Sequence, residues 1–164
     1  MAEEANLFAS DWEFEHEGAA MAALGTRAGC ELLGLTVYEL QPGARWAELH
    51  VHYANEELIL VLEGRPTLHS LAGSRELAPG DVVGCPRGRR GAHRLENRSD
   101  EVVRVVILST QVMPEVVEYP ERPDGGRVFV MTEPPYTGAP YDEGRGRIVR
   151  VFERDSGRPV PPDE

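Results

Sequence analysis

The chain has 164 residues, of which 17 are basic and 28 acidic, so its formal net charge is −11. A chain of this length is expected to form one domain. The acidity argues against nucleic acid and anionic membranes as partners, because binding phosphates requires a basic surface. All the basic residues are arginine, which excludes chemistry that depends on a lysine amine, such as Schiff-base formation.

The two cysteines, Cys30 and Cys85, are far apart and form no Cys-x-x-Cys pair. Isolated cysteines of this kind are typical of free thiols in a reducing compartment. The N-terminus is acidic and is not followed by an apolar stretch, unlike a secretory signal. We therefore expect a cytoplasmic protein with no membrane-spanning segment.

Composition along the chain predicts four regions. Residues 1–25 form an acidic arm, in which Ala19–Ala23 favour one helical turn between two glycines. Residues 26–110 alternate short apolar runs with turn residues, as β-barrels do. Residues 111–155 are interrupted by prolines and are expected to pack on the barrel as an extension. Residues 156–164 are proline-rich and are expected to be a disordered tail.

The predicted strands of the barrel are separated by turns rich in glycine, proline and asparagine, and two further strands are predicted in the extension. In chain order, these ten strands are Leu33–Leu40, Trp46–His52, Leu58–Leu62, Thr67–Leu71, Arg75–Ala78, Asp81–Cys85, His93–Glu96, Val102–Leu108, Arg127–Met131 and Arg147–Phe152. Strands of this length and spacing predict an all-β, antiparallel sandwich or barrel.

Three of the five histidines fall on two of these strands. His50 and His52 are two residues apart, so their side chains point to the same face of one strand. His93 comes from a later strand, and Glu56 or Glu57 adds a carboxylate. Periodicity does not choose between the two glutamates, because the strand after them is apolar on both faces. Nitrogen and oxygen ligands of this kind suit several transition metals.

Two segments resemble the two sequence motifs of the cupin superfamily. In the first, Gly43–Gly64, six residues separate the opening glycine from His50-Val-His52, and six more separate Glu57 from Gly64. The second, Gly80–Asn97, contains Pro86-Arg-Gly88 and His93, with two extra residues before the histidine. More narrowly, the segments around these motifs and Pro114–Pro120 are similar to a subgroup of small, single-domain bacterial cupins.

The resemblance implies an antiparallel double-stranded β-helix, or jelly-roll, cupin barrel with a C-terminal strand extension. It also implies one divalent transition metal per chain, an ion of Fe, Mn, Ni, Zn or Cu. The ligands it implies are His50, His52, Glu57 and His93, with Glu57 preferred to Glu56 by its interval to Gly64. Cupins commonly pair their sheets, so the resemblance also implies a homodimer.

A cluster of arginines directly precedes His93. Residues 86–98 carry five arginines and one glutamate, a local charge of 5 − 1 = +4 in an acidic chain. Guanidinium groups match carboxylate geometry, so the arginines Arg87, Arg89 and Arg90 are predicted to bind an anionic small molecule. Aromatic residues on the predicted strands and turns are candidate pocket walls: Tyr38, Trp46, Tyr53 and Phe129.

Three functions remain open from sequence. The first is a metal-dependent enzyme acting on a small polar or anionic molecule, such as a dioxygenase, a decarboxylase or an isomerase. The second is a barrel that binds a small ligand without turnover. The third is a metal-free structural or regulatory cupin. His69 and His16 have no partner in the sequence pattern, so neither is expected to be a ligand.

Overall fold

The computed structural model describes residues 5–121, 126–131 and 148–160, with side chains from residue 151 onward in the last segment. It contains fourteen strands, a single helical turn and one 3-10 turn. In chain order these are β1 (Phe14–His16), β2 (Ala19–Ala22), α1 (Leu24–Arg27), β3 (Leu33–Leu40), β4 (Arg45–His52), β5 (Glu57–Glu63), β6 (Thr67–Ser70), β7 (Gly73–Glu76), β8 (Val82–Cys85), the 3-10 turn (Arg89–Gly91), β9 (His93–Glu96), β10 (Val103–Thr110), β11 (Glu115–Tyr119), β12 (Arg127–Met131), β13 (Ile148–Glu153) and β14 (Pro159–Val160).

The strands form two antiparallel sheets. One has six strands in the order β1-β2-β3-β10-β5-β8, and the other has eight in the order β14-β13-β12-β11-β4-β9-β6-β7. The all-β jelly-roll barrel expected from the sequence is therefore confirmed. The described residues contain no helix long and apolar enough to cross a membrane.

Strand β10 lies at the centre of the six-stranded sheet. It pairs with β3 on one side and with β5 on the other. Its first five residues are all buried. Four of them are Val or Ile, as expected for a central strand covered on both faces, and the fifth, Arg104, is ion-paired with Glu39 at 2.5 Å.

An apolar cluster fills much of the barrel interior. Its fully buried members include Leu40, Ile59, Leu77, Val103 and Val105. Burial of one such side chain stabilises the fold by about 1.5–3 kcal/mol. The interior is not filled along its whole length, because a cavity of about 820 Å³ opens beside this cluster.

The N-terminal region differs from the expected arm. Ala19–Ala22 form strand β2, which pairs with β3 from Ala19–Leu40 to Ala22–Val37; the expected helical turn at Ala19–Ala23 is wrong. All four residues of β2 are buried, so tertiary pairing outweighs the helical preference of alanine. Phe14–His16 add a further strand to the same sheet edge.

The C-terminal region adds strands to the other sheet. Strand β11, which the sequence did not indicate, pairs with both β4 and β12, and β13 then pairs with β12. In place of a disordered tail from residue 156, Pro159–Val160 form β14 against β13. Residues 161–164 of the expected tail lie outside the described residues.

Candidate metal centre

Strand β4 supplies two histidines because of a local irregularity. Its pairing with β9 runs from Trp46–Leu95 to His50–His93, so three residues on β4 face one on β9 between these pairs. Ala47, inside this bulge, has a φ of 58°, in the left-handed region that alanine rarely adopts. The bulge sets His50 opposite His93. β-Bulges often change the direction of a side chain in this way near functional sites.

His50, His52, Glu57 and His93 come together at one end of the barrel interior. Ligand atoms of His50, His52 and Glu57 lie within 4.8 Å of one another. Glu57 Oε2 lies 2.9 Å from His93 Nε2 and 3.6 Å from His52 Nε2. The ring centroids of His50 and His93 are 4.4 Å apart. Glu56, by contrast, is exposed, so Glu57 is the glutamate that faces the histidines.

Hydrogen bonds set the orientation of two of the imidazoles. His50 Nδ1 lies 2.8 Å from the carbonyl oxygen of Glu48, and His93 Nδ1 lies 2.9 Å from that of Gly91. A carbonyl can only accept, so each Nδ1 carries a proton and donates it. Each Nε2 is then the nitrogen available to a metal, as in many metal-bound histidines.

Charge within the group is balanced without a metal. Burial and, after it, the neighbouring His93 and His52 together lower the pKa of His50 to about 3. Burial would also lower the pKa of His93, but the Cys85 thiol and the Glu57 carboxylate raise it to about 10. Burial would raise the pKa of Glu57, but its contacts with His93 and His52 hold it at about 2. A carboxylate and an imidazolium therefore face each other at neutral pH.

These residues fit a divalent metal. Metal–nitrogen and metal–oxygen bonds of about 2.0–2.2 Å bring ligand atoms to about 3–4 Å from one another, close to the separations seen here. Glu57 Oε2 is buried, and its positive partner at neutral pH is the protonated His93, 2.9 Å away. A buried carboxylate needs such a partner, and a metal ion would serve in place of the proton. His93, which carries a proton towards Glu57, would exchange that proton for the ion.

The cavity of about 820 Å³ is lined by His50, His52, Glu57 and His93, and its walls are partly aromatic. Tyr38 and Trp46 lie with ring centroids 4.7 Å apart, and Tyr119 and Phe129 with centroids 5.2 Å apart. Three of these four were predicted as pocket walls. The fourth, Tyr119, also lies 5.9 Å from the ring of His50.

The arginines predicted to bind substrate lie elsewhere. Arg87, Arg89 and Arg90 are exposed and are not part of the cavity lining that the described residues form. Arg89 Nη1 donates to Glu118 Oε1 at 2.5 Å. Tyr53, also exposed, donates its hydroxyl to the other oxygen of Glu118 at 2.6 Å. The role of these four residues in substrate binding stays a prediction.

Two residues near the centre were not given a role by the sequence. Cys85 pairs with Glu57 in the register of β5 and β8 and is a buried free thiol. Glu115, from β11, has its Oε2 3.6 Å from His52 Nδ1. The segment Pro114–Pro120 was part of the family resemblance, but its position beside β4 depends on strand pairing that sequence spacing does not specify.

A jelly-roll barrel with histidines and a glutamate converging inside it defines a cupin-type site. A family model described as a cupin domain matches residues 36–109, which include both motifs. Residues 36–109 of the chain are therefore identified as a cupin domain. No curated protein matches the chain significantly.

Three solved structures illustrate the similarity. A cupin-superfamily sugar phosphate isomerase from Silicibacter pomeroyi has a TM-score of 0.72 and 22% identity to this chain. The match covers 90% of this chain and 83% of the isomerase. A putative sugar phosphate isomerase from Acidithiobacillus ferrooxidans has a TM-score of 0.63 and 28% identity, covering 68% and 69%. The polyketide cyclase RemF from Streptomyces resistomycificus has a TM-score of 0.50 and 25% identity, covering 57% and 66%.

Proposed function

We propose that this chain is a metal-dependent enzyme in which His50, His52, Glu57 and His93 hold one divalent transition metal at the inner end of the cavity. The observation that supports this most is the grouping of His50, His52 and Glu57, whose ligand atoms lie within 4.8 Å of one another, with His93 Nε2 2.9 Å from Glu57 Oε2. The metal would supply Lewis-acid polarisation of a substrate oxygen. The cavity, at about 820 Å³, is large enough for a small-molecule substrate.

The reaction class we favour is isomerisation of a sugar phosphate or a related polyhydroxylated anion. The Acidithiobacillus ferrooxidans structure, 28% identical over 68% of this chain, is described as a putative sugar phosphate isomerase. Aldose–ketose isomerisation moves one proton from C2 to C1 and a second from the C2 hydroxyl to the C1 oxygen, and it is redox-neutral overall. It therefore needs no oxidant or second substrate, only oxygen polarisation and a group that carries the proton.

Glu48 is the residue to which we assign the proton transfer. It lies on β4 two residues before His50, lines the cavity, and is not part of the group of proposed ligands. A carboxylate with its oxygen buried at a cavity wall is a suitable general base. Replacing Glu48 by glutamine should lower kcat strongly while leaving metal content unchanged.

An anionic substrate group would require positive charge near the opening. Arg45 lines the cavity, and Arg87 and Arg90 extend from the loop before His93. Arg89 is already paired with Glu118 and contributes less. We therefore propose that Arg87 and Arg90 attract the anion electrostatically, a role in which exposure is no obstacle.

The test uses the full chain purified without chelator and reconstituted separately with Fe²⁺, Mn²⁺, Ni²⁺ and Zn²⁺. A panel of aldose and ketose phosphates is followed by NMR for interconversion and for exchange of the C2 proton with D₂O. Wild type should convert at least one substrate, whereas His52→Ala should not. His69→Ala is the matched control, because His69 pairs with Glu96 at 2.7 Å and is not among the residues lining the cavity. Metal binding without any exchange or conversion would favour a ligand-binding barrel, and absence of metal would favour a metal-free cupin.

The aromatic cavity wall favours a second reaction class, cyclisation of a polyketide. Tyr38, Trp46, Tyr119 and Phe129 offer flat apolar faces near the histidines, and aromatic substrates pack well on such faces. RemF, 25% identical, is a polyketide cyclase. Competition between an aromatic compound and a sugar phosphate, measured by perturbation of a bound Co²⁺ spectrum, separates the two classes.

A further inference from the structure

A buried carboxylate lies directly behind one of the proposed ligands. Glu115 is only 1% exposed, although it carries a charge. It is the first residue of β11, which pairs with β4 through Val117 and His52. Charged side chains are seldom buried this fully unless every polar atom has a partner, so the partners of Glu115 indicate its role.

The two oxygens of Glu115 have different surroundings. Oε1 accepts three backbone N–H groups, from Tyr53 at 3.1 Å, Ala54 at 3.1 Å and Val116 at 2.7 Å. Oε2 accepts the side-chain amide of Asn55 and faces His52 Nδ1 at 3.6 Å. The three backbone N–H groups and the Asn55 amide are donors, so they hold the carboxylate in one orientation.

Asn55 in turn fixes Oε2. It is 4% exposed, and its Oδ1 accepts the hydroxyl of Thr110 at 3.0 Å and the backbone N–H of Val112 at 2.7 Å. Its amide also donates to the carbonyl of Val112 at 3.0 Å. These bonds connect the β4–β5 turn to the chain between β10 and β11, so Glu115 has little freedom to move away from His52.

His52 is the histidine whose orientation the backbone does not set. His50 and His93 donate from Nδ1 to carbonyl oxygens, as described above. His52 Nδ1 is buried and has no hydrogen bond among the described residues, and its Nε2 points to Glu57. Glu115 Oε2 is an acceptor within about half an ångström of hydrogen-bond range.

We infer that Glu115 is a positioning residue: it holds His52 with the proton on Nδ1, so that Nε2 is presented to the metal. This inference rests on the metal site of the proposed function. A carboxylate behind a metal-bound histidine fixes its tautomer and increases its basicity, and losing such a partner typically costs 10–100-fold in metal affinity. It assigns a role to part of the Pro114–Pro120 segment.

The experiment compares Glu115→Gln with Glu118→Gln. Both carboxylates are on β11 and almost fully buried, but Glu118 contacts Tyr53 and Arg89 rather than a histidine. Zn²⁺ affinity is measured by competition with a chromophoric chelator. We expect affinity to fall about 10–100-fold in Glu115→Gln and to change less than about threefold in Glu118→Gln. Equal affinities of wild type and Glu115→Gln, with both folded by circular dichroism, would overturn the inference.

A second measurement needs neither metal nor a variant. Nitrogen-15 correlation spectra of the metal-free wild type report which nitrogen of each histidine carries the proton. We expect a protonated Nδ1 on His52, and a proton confined to Nε2 would overturn the inference even if Glu115→Gln failed to fold. If wild type bound none of Fe²⁺, Mn²⁺, Ni²⁺ and Zn²⁺, the proposed function would fail, while the tautomer of His52 would still test the inference.

Discussion

The two ends of the barrel interior are built from the same strands but differ in chemistry. On β5, the inward positions run from Glu57 to Ile59, and on β9 they run from His93 to Leu95. Glu57 and His93 face each other at 2.9 Å, whereas Ile59 and Leu95 belong to the apolar cluster. Two residues further along each strand, the inward side chain is therefore a core residue and no longer a proposed metal ligand.

This difference indicates that different residues stabilise the fold and form the proposed metal site. Ile59 and Leu95 are 0% and 2% exposed, and side chains buried in this way supply most of the driving force for folding. The buried polar groups of the other end are costly to the fold unless they are paired. Substitutions at the two ends should therefore have opposite consequences for metal binding and for unfolding.

The largest effect should follow substitution of a proposed ligand. His93→Ala should reduce metal affinity by at least about 100-fold, because it removes a ligand, and leave a cooperatively folded barrel. Ile59→Ala should retain the metal but lower the free energy of unfolding by about 2–5 kcal/mol. Chelator competition and urea unfolding of both variants provide the comparison. Unfolding of metal-free His93→Ala during expression would contradict the division.

Gly91 lies in the 3-10 turn directly before His93, where it contacts both the backbone of Pro86 and the His93 ring. A Cβ at this position would overlap the carbonyl oxygen of Pro86, and the Gly91 carbonyl accepts from His93 Nδ1. Gly91→Ala should therefore destabilise the fold by about 1–3 kcal/mol and also weaken metal binding. Gly84→Ala is the matched control, because a Cβ there meets nothing within 4 Å. Equal thermal unfolding of the two variants would show that the turn readily adjusts.

Metal affinity should rise with pH. His93, with a pKa raised to about 10, is protonated at neutral pH and must lose its proton to bind a metal. From this residue we expect about a tenfold gain in affinity per pH unit between pH 7 and 9. His50, with a pKa of about 3, is neutral throughout this range and adds no slope. Calorimetry in buffers of different ionisation enthalpy would count the released protons, and a pH-independent affinity would contradict the assignment of His93.

The same pKa shifts predict how the metal-free protein responds to pH. The raised pKa of His93 contributes stability that is complete below about pH 6.5, its ordinary pKa, and is lost as pH rises towards 10. The lowered pKa of Glu57, about 2, contributes stability that is lost as pH falls below about 4.5. The lowered pKa of His50 opposes folding below about pH 6.5. Urea unfolding at pH 3, 5, 7 and 9 without metal checks these signs.

The smallest effect is expected at the β4 bulge. Ala47 has a φ of 58°, which costs a non-glycine residue about 1–2 kcal/mol. Ala47→Gly removes this cost, but the larger conformational entropy of glycine stabilises the unfolded chain by about 0.4–1 kcal/mol. The free energy of unfolding should therefore change by less than about 1 kcal/mol. Ala47→Val should destabilise clearly, because branched side chains tolerate this region poorly. Equal stability of the two variants would mean that the bulge is not strained.

Local patterns in the sequence predicted the barrel well. The predicted bounds of Leu33–Leu40 and His93–Glu96 match the observed strands, because alternation and turn residues specify them locally. Strand β2 was missed for another reason. Four small or flexible residues at Ala19–Ala22 have no strand preference of their own, and pairing with β3 decides their conformation.

The candidate site could be predicted in part. His50 and His52 share a face by strand geometry, and the family resemblance selected Glu57, which the structure places against His93. The contact of Glu115 with His52 spans more than sixty positions and depends on the pairing of β4 with β11. No local spacing encodes such a contact, so the sequence left Glu115 without a role.

Elemental analysis of the full chain, purified without chelator, tests most directly whether His50, His52, Glu57 and His93 bind a metal. We expect one divalent transition metal per wild-type chain and less than about one-tenth of that in the His52→Ala, Glu57→Gln double variant, with His69→Ala retaining full content. Wild type lacking metal after reconstitution, or a double variant that retains it, would show that the four residues are not a metal centre.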